Sequence, residues 1–178
     1  MINRIIRAIK LDRTLFAEVA KNESLLSESL IIVLLVAVVS GIGTMINASR
    51  PIMALITEVI NSVLFGWLLW SVVAYFVGTA FFGGKSSITE MLRTFGYANA
   101  PRLLGLFAFI PCIGWILALL GGILSLIAGI IAIRESMEFD TDKAVITAII
   151  GFILYIMGSA AIRIIFSGLS LPFQSLIN

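Results

Sequence analysis

The sequence predicts an all-α integral membrane protein with about five membrane helices and an irregular middle. Apolar residues make up 60% of the chain and charged residues only 12%. The mean hydropathy is +1.12, and several apolar runs reach the roughly 20 residues that span a bilayer. Pro101 and Pro111 interrupt one of these runs. We therefore expect three parts: a basic amphipathic interfacial segment at 1–29, a multi-span domain at 30–167, and an uncharged tail at 168–178.

The N-terminal segment predicts one basic amphipathic helix over residues 2–20. Its isoleucines recur at helical spacing, and its basic residues fall mostly on the other side. Such a helix lies at the membrane surface. The alternative is a cytosolic lead-in whose basic residues only set the topology.

Two membrane spans follow. The first runs from about Leu30 to Ile46, and the second is a longer apolar helix over residues 52–82. The sequence Phe82-Gly-Gly-Lys85 ends the second helix. Glu58 lies near its start, and we expect it close to the membrane interface.

The central element begins at Ser87-Ile-Thr-Glu90, which has the sequence of a capping box. We expect an amphipathic first half near the surface, with the chain entering the membrane at Ala98. Pro101 removes the hydrogen bond to the carbonyl of Tyr97. The predicted result is a broken or kinked helix, since freed carbonyls in lipid need other partners.

The apolar stretch 103–133 is too long for one ordinary span, so we expect two arms with a turn at 111–114. These arms either cross the membrane twice or form a re-entrant hairpin. The second arm carries small residues at four-residue steps, which favour tight helix pairing. This candidate packing seam consists of Gly121, Ser125 and Gly129.

The last span is predicted from about Ala144 to Phe166. Most basic residues fall in segments that share one face of the membrane. The bias predicts a cytoplasmic N-terminus and an external C-terminus. In this layout Glu58 and Arg163 both lie near the outer surface and form a candidate ion pair.

Three polar residues of the central element are candidate contacts for a partner helix or a lipid headgroup: Tyr97, Asn99 and Arg102. Polar and charged side chains inside a membrane protein are costly and are often functional. The alternative is structural. Arg102 would then satisfy the carbonyl freed by Pro101 or extend to the cytoplasmic interface.

Residue counts argue against several classes of chemistry. The chain has no histidine and one cysteine, Cys112. A Ser-His or Cys-His nucleophile pair and a histidine metal ligand are therefore excluded. We expect no catalytic residues, no metal and no cofactor. The net charge of +2 is too small to indicate nucleic-acid binding.

The central and late segments together resemble the Yip (Ypt/Rab-interacting protein) family of small multi-span membrane proteins. The resemblance rests on Tyr97-Ala98-x-x-Pro101, the apolar run to Pro111, and Phe139-Asp-Thr-x-Lys143-Ala144. It implies a five-helix membrane domain with a cytoplasmic N-terminus. Eukaryotic members are associated with vesicle transport and prenylated small GTPases. This chain lacks a substantial cytosolic N-terminal domain, so it is more similar to the prokaryotic branch, which implies a prokaryotic cytoplasmic membrane. Small-GTPase binding is not expected.

Three function classes remain open at this point. The first is a non-catalytic membrane scaffold or adaptor that acts through helix packing with lipids or other integral membrane proteins. The second is an accessory structural subunit of a larger membrane complex, including an energy-converting or photosynthetic one. The third is a small transporter or channel, which would need a polar path. We expect no enzyme, since the sequence places no nucleophile beside a base.

Overall fold

The computed structural model describes the backbone of residues 1–45, 48–108 and 110–174, and the side chains in these ranges up to Met157. The described chain contains helices and no strands, which confirms the all-α class. Its α-helices are α1 (Ile2–Ile9), α2 (Arg13–Lys21), α3 (Leu26–Met45), α4 (Pro51–Asn61), α5 (Trp70–Phe82), α6 (Ile88–Ala98), α7 (Gly114–Met137) and α8 (Thr141–Gln174). Three shorter segments join them: 3₁₀ turns at Glu23–Leu25 and Ala100–Phe107, and a π-helix at Ser62–Leu69.

The prediction of one helix over residues 2–20 is wrong, because the chain breaks between α1 and α2. Leu11 has a φ of 58°, in the left-handed region that interrupts a helix. Asp12 then caps α2, its side chain accepting a hydrogen bond from the backbone N–H of Thr14. The two helices fold onto the bundle and bury apolar side chains there, including Leu15, Phe16 and Val19, each 0% exposed.

Three helices in the described part are long and apolar enough to cross a membrane: Glu23–Met45, Pro51–Phe82 and Gly114–Met137. The second joins α4, the π-helix and α5 without a break. It ends where predicted, at Gly83, which adopts a φ of 66° that glycine tolerates best. The backbone of α8 continues for 34 residues. The total of five membrane helices stays a prediction.

The expectation that the first half of α6 lies near the membrane surface stays a prediction, and the structure shows how α6 packs against other helices. Most of its second half is buried within the bundle, from Arg93 to Ala98. The capping box at its start is present, with Ser87 Oγ accepting from the backbone N–H of Glu90 at 3.2 Å. Burial follows from packing, because α2, α3, α5 and α7 all contact α6.

The predicted break in the central element is confirmed. α6 ends at Ala98, and Pro101 lies in the first turn of the 3₁₀ segment rather than inside an α-helix. The chain then turns at 110–113 into α7, which packs back along the 3₁₀ segment. Eight 3₁₀ residues cover about 16 Å, roughly half of the hydrocarbon thickness. The 3₁₀ segment alone is therefore shorter than α7. The first arm reaches a length similar to that of α7 only when α6 is counted as part of it.

Candidate functional site

A cavity of about 440 Å³ lies between the middle of the bundle and α8. Its walls come from the π-helix, α5, α6, the 3₁₀ segment, α7 and α8, and most of the lining side chains are apolar. The lining residues are Gly66, Trp70, Phe95, Ala98, Asn99, Arg102, Ser125, Leu126, Gly129, Ile130, Val145, Ala148, Ile149, Phe152, Ile153 and Tyr155. The volume falls within the range of small-ligand sites in proteins.

Trp70 forms the aromatic wall of this cavity. Its ring meets three other rings edge to face, with centroid distances of 5.9 Å to Phe95, 6.1 Å to Phe152 and 5.7 Å to Tyr155. Such arrangements are favoured by the charge distribution of aromatic rings. These contacts join α5 to α6 and α8 beside the cavity.

A second, polar cavity of about 270 Å³ adjoins the first. It is lined by Glu58, Asn61, Ser62, Phe65, Gly66, Arg102 and Tyr155. Gly66, Arg102 and Tyr155 line both cavities. We call the two parts together the Arg102 cavity.

Arg102 stands at the junction of the two parts with few partners of its own. Its Nη1 donates to Asn99 Oδ1 at 3.4 Å, near the long limit for a hydrogen bond. No carboxylate among the described side chains lies within 4.0 Å of its guanidinium. Asn99 is better anchored, since its Nδ2 donates to the carbonyl of Phe95 at 2.9 Å. The Asn99 side chain thus serves the carbonyl of Phe95 rather than that of Tyr97, which Pro101 frees, and the Arg102 guanidinium lines the cavity.

Tyr97 lies apart from this cavity. It is fully buried, and its hydroxyl donates to Glu28 Oε1 at 2.6 Å. Glu28 also accepts two hydrogen bonds from Arg4, at 3.0 and 2.6 Å. The pKa of Arg4 is raised, first by its hydrogen bonds to Glu28. Of the three predicted contact residues, the structure brings Asn99 and Arg102 together and places Tyr97 in a structural cluster with Glu28.

Arg93 is a second structural residue that the sequence did not single out. Its side chain is buried, with Nε donating to the carbonyl of Val19 at 3.2 Å and Nη2 to that of Ala20 at 2.6 Å. Both carbonyls belong to the last turn of α2, where the helix offers none of its own N–H groups. Arg93 therefore closes the C-terminal end of α2 and joins it to α6.

The small residues of the seam face the other arm of the same hairpin. A Cβ on Gly121 would lie 2.7 Å from the carbonyl oxygen of Pro101. Ser125 Oγ donates to the carbonyl of Ala98 at 2.7 Å, and a Cβ on Gly129 would lie 3.4 Å from the ring of Phe95. Within this chain, the seam packs α7 against α6 and the 3₁₀ segment.

Glu58 lines the polar part of the Arg102 cavity. Its Oε1 accepts from Ser62 Oγ at 3.2 Å. The side chain of Arg163 lies outside the described residues, so the predicted Glu58–Arg163 pair stays a prediction. Groups of three or more potential metal ligands do not occur among the described residues.

Comparison with known proteins gives a single family assignment. No curated protein matches the chain, and no solved structure does. The sequence pattern of the Yip1 domain matches residues 12–162, which include α2 to α7 and most of α8. The chain belongs to the Yip1 domain family of membrane proteins.

Proposed function

We propose that this protein is a non-catalytic membrane scaffold or adaptor that acts by helix packing with protein or lipid partners. One observation supports this function above the others: several buried polar side chains join one helix to another. Ser29 donates to the carbonyl of Arg93, Ser136 to Thr94, and Trp67 to the carbonyl of Leu92. Polar groups used in this way build a rigid body whose outer faces are free for partners.

The outer faces are apolar along several helices. Exposed large side chains recur on α3, α4, α7 and the described part of α8, including Ile42, Ile52, Leu126 and Met157 at 53%, 69%, 63% and 63% exposure. In a bilayer such faces meet lipid or the helices of another protein. The scaffold would therefore offer more than one side to its neighbours.

Purification in mild detergent, with identification of the proteins that accompany the chain, tests this function. A scaffold is expected as a monomer or homo-oligomer that carries substoichiometric partners. A stable complex with one copy of this chain would instead support the accessory-subunit alternative. Turnover of a substrate by the purified protein would contradict both.

A small transporter is the second candidate, and the grouping of Glu58, Asn61 and Arg102 around one polar cavity favours it. Ionisable groups inside membrane proteins commonly mark the path of an ion or substrate. Ion and solute flux into liposomes that contain the purified chain tests this candidate. Flux above that of empty liposomes, abolished by Arg102→Gln, would support it over the scaffold.

A further inference from the structure

We infer that the Arg102 cavity binds one membrane phospholipid with a zwitterionic amine headgroup, of the phosphatidylethanolamine class. Arg102 would hold the phosphate, Glu58 the ammonium, and the apolar part an acyl chain. The inference goes beyond the scaffold function and does not depend on it. It rests on the shape, charge and position of the cavity.

The shape of the cavity matches an amphiphile. An apolar part of about 440 Å³ adjoins a polar part of about 270 Å³, and they share Gly66, Arg102 and Tyr155. A lipid has the same division between an acyl chain and a polar headgroup. A small polar solute would leave the larger, apolar part without a suitable occupant.

The two charges of the cavity select the headgroup. Arg102 uses one of its five N–H donors in a 3.4 Å bond to Asn99. Glu58 accepts one described hydrogen bond, from Ser62. A guanidinium and a carboxylate in a low-dielectric site both favour an opposite charge nearby. A headgroup with a phosphate and a primary ammonium supplies both, whereas phosphatidylglycerol supplies only the anion and brings it beside Glu58.

The cavity has access to the bilayer between α7 and α8. Leu126 of α7 and Ile149, Phe152 and Ile153 of α8 line it. The same side chains are 63%, 54%, 47% and 52% exposed. Side chains that line a cavity and also face outward form its rim, so an acyl chain can enter sideways from the membrane.

The test uses the full chain in nanodiscs that contain equal amounts of phosphatidylethanolamine and phosphatidylglycerol. After transfer to detergent, lipid mass spectrometry measures the lipid retained per protein. We expect retained phosphatidylethanolamine to exceed phosphatidylglycerol, and Arg102→Gln to lower the retained lipid by about tenfold, the effect of one lost charge-assisted hydrogen bond. Equal retention by Arg102→Gln, or a preference for phosphatidylglycerol, would overturn the inference.

Glu58→Gln separates headgroup choice from binding itself. It is expected to abolish the preference for phosphatidylethanolamine while lipid is still retained. Glu23→Gln is the matched control, because Glu23 is an exposed carboxylate that does not line the cavity, and it is expected to leave the preference intact. An unchanged preference in Glu58→Gln, or an equal loss in Glu23→Gln, would contradict the role of Glu58.

Blocking the cavity tests its location without removing a charge. A Cβ on Gly66 meets no atom within 4 Å, so Gly66→Leu places its side chain in the open space between the two parts. Gly122→Leu is the control, because Gly122 also has nothing within 4 Å and does not line the cavity. We expect lipid retention to fall in Gly66→Leu only, with helicity and monodispersity unchanged in both variants. Equal retention in the two variants would place the lipid elsewhere.

Discussion

Arg93 and Arg102 lie nine positions apart in one arm of the central hairpin, yet their surroundings differ. Arg93 is 5% exposed and donates to two carbonyls at the end of α2. Arg102 faces a cavity and has one long hydrogen bond to a neighbouring side chain. The first arginine satisfies the protein's own backbone, and the second leaves most of its donors for another molecule. A charge in an apolar helix therefore indicates function only after its partners are known.

Replacing Arg93 should have the largest effect on stability. Arg93→Met keeps the apolar stem but leaves the carbonyls of Val19 and Ala20 buried without their donors. We expect a loss of about 3 kcal/mol in the free energy of unfolding, since an unsatisfied buried group costs roughly 1–3 kcal/mol. Chemical denaturation of the detergent-solubilised chain, followed by circular dichroism, measures the loss.

Arg102→Met is the matched control for that experiment. It removes the same charge from a site where the protein itself supplies one weak partner, so we expect a loss under about 1 kcal/mol. If the two variants lose equal stability, then the distinction between a structural and a free arginine is wrong.

Two adjacent glycines sharpen the comparison between the packed and open sides of α7. Gly121→Ala places a Cβ against the backbone of Pro101, 2.7 Å from its carbonyl oxygen, whereas Gly122→Ala meets nothing within 4 Å. We expect the first to cost about 1–3 kcal/mol through overpacking. The second should gain up to about 1 kcal/mol, because alanine favours a helix more than glycine does. Thermal midpoints in detergent report both, and a similar shift in the two variants would contradict the close approach of the hairpin arms.

Local sequence signals predicted the parts of the fold that depend on near neighbours. The capping box at Ser87 and Glu90 and the helix end at Gly83 involve residues a few positions apart. The same is true of the break around Pro101, because proline limits its own backbone and that of its immediate neighbours. These features could be predicted from the sequence without knowing how the helices pack.

The missed features depend on partners distant in sequence. Arg93 binds a carbonyl 74 positions away, and Tyr97 binds Glu28 from 69 positions away. Neither helical spacing nor composition predicts a hydrogen bond between residues so far apart in the sequence. The burial of the second half of α6 was not predicted for the same reason, because Arg93, Thr94 and Tyr97 bind residues of α2, α7 and α3. The grouping of Asn99 and Arg102 was partly predictable, since they lie three residues apart around the proline.

The smallest expected effect concerns Asp12, which links α1 to α2 at the edge of the bundle. Arg7 Nε donates to Asp12 Oδ2 at 2.7 Å, and this hydrogen bond is the main reason that the pKa of Asp12 is lowered from 3.8 to about 2. A carboxyl whose pKa is lower in the folded state contributes stability above its unfolded pKa. We expect that contribution to disappear as the pH falls from about 4 to about 2.

Asp12→Asn isolates this ion pair, because asparagine also caps helices well. The variant should melt slightly below the parent protein at pH 6 and together with it near pH 2. The difference should shrink in high salt, since the Asp12 side chain is 32% exposed and its charge is screened. Thermal midpoints of both proteins across this pH range make the measurement. A constant difference at every pH would assign the loss to the cap instead of the charge.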